Sequence, residues 1–169
     1  YDPNVYLGTA AYPSPDGQPT LAGLNPNDDG VKDAAGARLT QLVIGHANTI
    51  VVRASSAGYL NAWVDLNGNE KWSDSGEHLL IDQALKLGDN TVTLTVPSGL
   101  WPTDPTIPTY ARFRLSKDGG LPPTGAAIGG EVEDYAVYIL SLTPPSGVDD
   151  SYWVWEDTLN FQTTGVTRP

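Results

Sequence analysis

Tyr59-Leu60-Asn61-Ala62-Trp63-Val64-Asp65-Leu66 alternates without a break. In an extended chain Leu60, Ala62, Val64 and Leu66 fall on one face and Tyr59, Asn61, Trp63 and Asp65 on the other. Both faces carry bulky side chains, which predicts a strand covered on both sides, inside a sheet and not at its margin. Downstream, residues 91–96 repeat the pattern with Val92, Leu94 and Val96 inward and Thr91, Thr93 and Thr95 outward, until Pro97-Ser98-Gly99 ends the run. Upstream, residues 38–44 and 49–53 are β-branched and are bounded by Gly45 and by Ser55-Ser56. Residues 110–115 and 131–142 contain no turn residues and complete the set. Residues 78–87 are ambiguous, because a short apolar run fits a strand or a buried helical turn, and the first half is read as strand. About eight short strands separated by turn signals predict an all-β fold, an antiparallel β-sandwich of immunoglobulin-like or jelly-roll-like layout.

The 18 glycines and 14 prolines are spread along the whole length and argue against long helices. They also divide the chain. Residues 1–33 are a loop-rich segment, with Pro3, Pro13, Pro15, Pro19 and Pro26 and a turn at Asp28-Asp29-Gly30, expected to drape over the core. Residues 34–143 hold the sandwich, Pro144-Pro145-Ser146-Gly147 forms a stiff linker, and residues 148–169 form a tail. No internal repeat is visible, and 169 residues suit one core.

Nine Lys and Arg against 20 Asp and Glu give a formal charge of -11, which repels phosphate backbones and anionic lipid, so no nucleic acid is expected as a partner. No apolar run approaches the roughly 18 residues that a membrane span needs, so no membrane insertion is expected. The chain has no cysteine, which removes disulfides, thiolate metal sites and thiol nucleophiles together. It starts at Tyr1 and has no methionine, as expected of a processed mature protein or an excised domain.

From Asp65 to Glu77 the chain reads DLNGNEKWSDSGE, with oxygen-bearing side chains at alternate positions and a closing glutamate. Calcium takes 6–8 oxygen ligands of this kind, so Asp65, Asn67, Asn69, the Lys71 carbonyl and Glu77 are the candidate ligands. The loop departs from the EF-hand: Gly68 stands at the fourth position, Glu77 comes one residue late, and a strand precedes the loop. An Asn/Gly-rich turn with solvated acids is the plain alternative. A second acidic cluster, Gly130-Glu131-Val132-Glu133-Asp134-Tyr135, heads the last long strand, and Glu131, Glu133 and Tyr135 share a face there. Glu131 is read as a metal ligand or loop anchor and Glu133 as the partner of Arg112 or Arg114, with a buried ion pair as the structural alternative.

These two clusters, with the 59–69 run, Gly76-Glu77, Thr109-Tyr110-Ala111-Arg112-Phe113-Arg114-Leu115-Ser116 and Pro123-Thr124-Gly125, resemble the GEVED domain of bacterial secreted and surface proteins, named for the 130–134 run. The resemblance spans roughly residues 28–140, with the motifs in family order. It implies an extracellular accessory module of surface proteins, adhesins and some secreted hydrolases, with no established catalytic role. Asn67 and Asn69 stand where members of the family often carry Asp, which lowers the ligand charge and implies weaker, millimolar-range calcium binding.

Other constellations carry less. Glu131 and Glu133 have a glycosidase-like spacing but nothing else marks a cleft. His46 and His78 are isolated and are read as turn or surface residues, and the Gly119-Gly120 and Gly129-Gly130 pairs as hairpin punctuation. Carbohydrate binding by a row of Trp63, Trp72 and Trp101 is the rival function, with Trp63 expected in the core. In the tail, Trp153, Trp155, Asp157, Leu159 and Phe161 share one face of an extended strand. Burying such side chains at about 1.5–3 kcal/mol each predicts that the strand docks. It could close its own sandwich, or begin a following domain, since Asp149-Asp150-Ser151-Tyr152 resembles the start of cadherin-like repeats. The preferred expectation is donation by Trp153, Trp155, Leu159 and Phe161 to a neighbouring copy, building a head-to-tail filament. Copies of the chain or neighbouring domains of a surface protein are therefore the expected partners.

Overall fold

A computed structural model describes residues 4–12, 24–99, 106–126 and 129–142. Eight strands form: β1 (Val31–Asp33), β2 (Gln41–Val43), β3 (Ala47–Ala54), β4 (Gly58–Val64), β5 (His78–Leu85), β6 (Gly88–Thr95), β7 (Thr109–Ser116) and β8 (Gly130–Leu140). They make a three-stranded sheet, β1-β3-β6, and a five-stranded sheet, β2-β8-β7-β4-β5. Of the two layouts expected, this is the immunoglobulin-like one: β3 and β6 stand as strands B and E, and β8-β7-β4-β5 as G, F, C and C′. The all-β sandwich expectation holds.

Three details differ from the sequence reading. β2 runs parallel to β8, with Gln41 opposite Tyr138 and Val43 opposite Leu140, whereas every other pair is antiparallel. Nearly the whole domain serves as the crossover that a parallel pair requires. Residues 78–85 are strand throughout, and their missing periodicity has a cause: the β4–β5 register shifts around Ala62, and Asp82 adopts φ 47°. A bulge inserts an extra residue and breaks a period of two. The opening segment does more than drape. Val5 and Leu7 are fully buried, Gly8 N donates to Arg53 O at 2.9 Å, and β1 falls within residues 1–33 as a strand of the smaller sheet.

The inner faces meet in a core that includes Leu42, Ile50, Val52, Leu60, Phe113 and Leu115. The expected inward residues Val92, Leu94 and Val96 are buried and Thr91, Thr93 and Thr95 are exposed. β4 lies between β7 and β5 and is covered on both faces, as its alternation implies. On its outer face Trp63 stacks on His78 at 4.4 Å, so this histidine is a packed strand residue and not a turn. The segment after β7 lies across the same face, where Arg114 donates to the carbonyls of Pro122, Thr124 and Gly125. The Pro144-Pro145 linker, Trp101 and the tail residues Trp153, Trp155, Leu159 and Phe161 lie outside the described residues.

Candidate cation loop and the acidic strand

The oxygen-rich loop joins β4 to β5 at one end of the five-stranded sheet. Its mouth is fastened by Val64 N donating to Glu77 O at 3.0 Å and Asp65 N to Tyr110 O at 3.0 Å, while Thr109 Oγ1 donates to Asp65 O. Inside, the Asp65 carboxylate organises the turn. Its Oδ1 accepts from Gly68 N and Asn69 N at 2.8 and 3.1 Å, and its Oδ2 from Glu70 N at 2.9 Å. The sharp turn that an EF-hand makes with glycine at its sixth position is made here by Glu70, which adopts φ 62°, and Gly68 adds a second left-handed residue at φ 70°.

Glu77 is fully buried. Its Oε1 accepts from Leu66 N at 3.0 Å, whereas Oε2 has no hydrogen-bond partner, one of two such buried side-chain atoms among the described residues. Burial first, and the Asp65 charge second, push the Glu77 carboxyl up to about 7. Asp65 is also raised, by burial against the three amide bonds. An orphaned carboxylate oxygen facing a second carboxylate is the arrangement a bound cation relieves. Asn67 and Asn69 Nδ2 both donate to Asp74 Oδ2, at 3.0 and 2.5 Å, and these bonds hold the Asp74 carboxyl below its usual range. Asp74 therefore joins the expected set at the loop, although its position in the alternation did not single it out. Lys71 donates its N–H to Asn69 Oδ1 at 3.1 Å. Among the described residues no three acidic or imidazole side chains converge at metal spacing, so an ion here would draw on amide and carbonyl oxygens as well.

Glu131 belongs elsewhere. In the β7–β8 register it lies opposite Leu115, whereas the loop leaves the sheet beside Tyr110, about 17 Å away at 3.4 Å per residue. Its Oε2 accepts from Leu7 N at 2.8 Å and its Oε1 from Tyr12 N at 3.5 Å, so it anchors the opening segment, not the metal loop. The Glu133 expectation is corrected as well. Arg112 lies opposite Asp134 and bonds it twice, at 2.8 and 2.6 Å, with both side chains buried. A strand turns successive side chains to opposite faces, so Glu133 faces inward, away from Arg112 and Arg114. There it accepts from Asp29 N and Gly30 N at 3.1 Å and from Tyr135 Oη at 2.8 Å, while Tyr135 Oη accepts from Val31 N at 2.9 Å. Gly30 permits this approach, since a Cβ there would stand 2.6 Å from Leu7 Cβ and 2.8 Å from Glu133 Oε2. Asp28 Oδ2 accepts from Asp134 N at 2.8 Å, on the side of β8 away from β7 and short of the β2 pairing at Tyr138. Burial foremost raises Asp28 to about 6, Glu133 to about 7 and Glu131 to about 9.

Trp63 and Trp72 are 2% and 4% exposed, the latter beneath Arg112 at 5.1 Å, so neither presents a face for stacking on a sugar. Fold and loop together define an immunoglobulin-like domain with an oxygen-rich β4–β5 loop and a last strand whose two glutamates point inward to hold the chain's opening segment. The GEVED domain model matches residues 59–138, from the start of β4 into β8, so this stretch of the chain is similar to a GEVED domain. The match includes both acidic clusters and is narrower than the 28–140 span of the motif resemblance. No curated protein and no solved structure matches the chain.

Proposed function

We propose that this chain is a non-catalytic, calcium-supported module of an extracellular structural or adhesive assembly, which associates head to tail by donating its C-terminal strand. The observation that carries the calcium reading is the buried, unpartnered Glu77 Oε2 beside Asp65. Asp65, Asn67, Asn69, Asp74, Glu77 and the Lys71 carbonyl would hold the ion, which supplies fixed positive charge and locks the β4–β5 connection without taking part in a reaction. The charge of -11 suits a chain that works outside the cell, where calcium is plentiful enough for a weak site. The apolar face of residues 153–161 supports association.

Calcium titration by calorimetry and thermal melting tests the metal reading. Melting temperature should rise with calcium and return to its starting value in EDTA, by the amount that mass action allows, about 2.7 kcal/mol at a hundredfold excess over Kd. Melting that ignores both calcium and EDTA would remove the ion from the reading.

A further inference from the structure

Asn67-Gly68 is the one Asn–Gly pair in the chain, and it lies in the candidate cation loop. The turn around it holds each atom that conversion of the side-chain amide to an acid would use. Gly68 N, the nucleophile, donates its hydrogen to Asp65 Oδ1 at 2.8 Å. Asn67 Oδ1, where negative charge develops when Cγ is attacked, accepts from Asn69 N at 3.0 Å. Asn67 Nδ2, the leaving nitrogen, donates to Asp74 Oδ2 at 3.0 Å. Asn67 is half-buried and Gly68 exposed, so water reaches the pair. Gly68, at φ 70°, brings no side chain against a ring formed there.

We infer that Asn67 converts itself into an aspartyl residue, so that the loop matures from a weaker to a stronger cation site. The backbone nitrogen of Gly68 attacks Asn67 Cγ, and its proton passes to the Asp65 carboxylate. The tetrahedral carbon then expels Nδ2, which leaves as ammonia with that proton, and a five-membered cyclic imide closes across the pair. Water adds to one imide carbonyl and opens the ring, giving an aspartyl residue or its isomer linked through the side chain. One water is gained and one ammonia lost, with no change in oxidation state. Nucleophile and carbonyl belong to adjacent residues, so the ring closes without a bimolecular encounter.

The consequence for the metal rests on the calcium reading. Conversion removes the bond from Asn67 Nδ2 to Asp74 Oδ2 and leaves two carboxylates facing each other across the loop. A divalent cation replaces the lost donor, and the added ligand charge raises its affinity. Asn67 is in this sense a masked carboxylate beside the unpartnered Glu77 Oε2 of the same loop.

The chemistry is tested by holding the full chain for days at neutral pH in heavy-oxygen water, beside the same chain unfolded in guanidinium chloride. Fragmentation mass spectrometry then locates the label. Label should enter at residue 67 about tenfold faster than at any other asparagine, and at least as fast in the folded chain as in the unfolded one. Conversion that is slower in the folded chain, or spread evenly over the asparagines, overturns the inference, because the turn then protects the amide. Calorimetry on Asn67→Asp tests the consequence: it should bind calcium about tenfold more tightly than the freshly prepared chain. Equal affinity in the two forms overturns the maturation and leaves the calcium reading standing. Binding by neither form overturns the calcium reading and the maturation with it, while the label at residue 67 still decides the conversion.

Discussion

The loop at 65–77 and the strand at 130–135 are both acidic in sequence, yet their carboxylates end in opposite situations. In the strand every acid has a protein partner: Glu131 holds Leu7 N, Glu133 holds Asp29 N, Gly30 N and Tyr135 Oη, and Asp134 holds Arg112. In the loop Asp65 is satisfied by amides, but Glu77 keeps one buried oxygen with nothing to bind. Acidic density alone therefore does not separate a ligand site from a clamp. The separation lies in whether the lone pairs are already used.

Replacing Glu133 by alanine is expected to have the largest effect. It strands the buried Gly30 amide, the part-buried Asp29 amide and the Tyr135 hydroxyl, each costing about 1–3 kcal/mol, so urea unfolding should show a loss of about 4 kcal/mol, the same with calcium or EDTA. Glu77→Gln should behave in the opposite way. In EDTA it should move stability by less than about 1 kcal/mol, since charge repulsion from Asp65 is removed, while the whole calcium-dependent gain of about 2.7 kcal/mol at a hundredfold excess disappears.

The pH dependence divides the two regions next. The folded carboxyls of Glu77 and Glu133 lie at about 7 and that of Glu131 at about 9, all above the ordinary 4.5, so between these values the folded state holds protons that the unfolded state has released. The contribution of these three groups to metal-free stability is then fully present below about pH 4.5 and falls as pH rises toward 9. Excess calcium should flatten only the Glu77 share, because the cation favours its ionised form, and urea midpoints measured from pH 5 to 9 in EDTA and in calcium will show whether a decline from Glu131 and Glu133 remains. The smallest effect belongs to Glu70→Gly. Relieving a left-handed non-glycine residue at φ 62° should raise the thermal midpoint by an amount equivalent to about 1 kcal/mol, without abolishing the calcium response.

Strands whose period survives were legible in the sequence. Residues 59–66 and 91–96 gave their inward and outward faces correctly, because packing on both sides or on one side writes itself into alternation. The edge strand 78–85 was not fully legible, because the Asp82 bulge resets the period within it. That Glu131 and Glu133 share a face could be read from spacing, but which face points inward depends on the β7–β8 register, and so did the choice of Asp134 as the Arg112 partner. The oxygen alternation of the loop was visible, whereas the approach of Asp74 to Asn67 and Asn69 arises only when the loop closes. Nothing local to residues 4–12 announces that Leu7 is held from position 131.

That last contact spans 124 residues, and the Gly30–Glu133 bond spans 103. Contacts so distant along the chain form late and slowly, because the intervening loop must be closed before they contribute. A chain emerging from its N-terminus cannot seat Val5 and Leu7 against their anchor until residue 131 has been made, so the sandwich closes from its far end and folding of this domain waits for the GEVED strand itself.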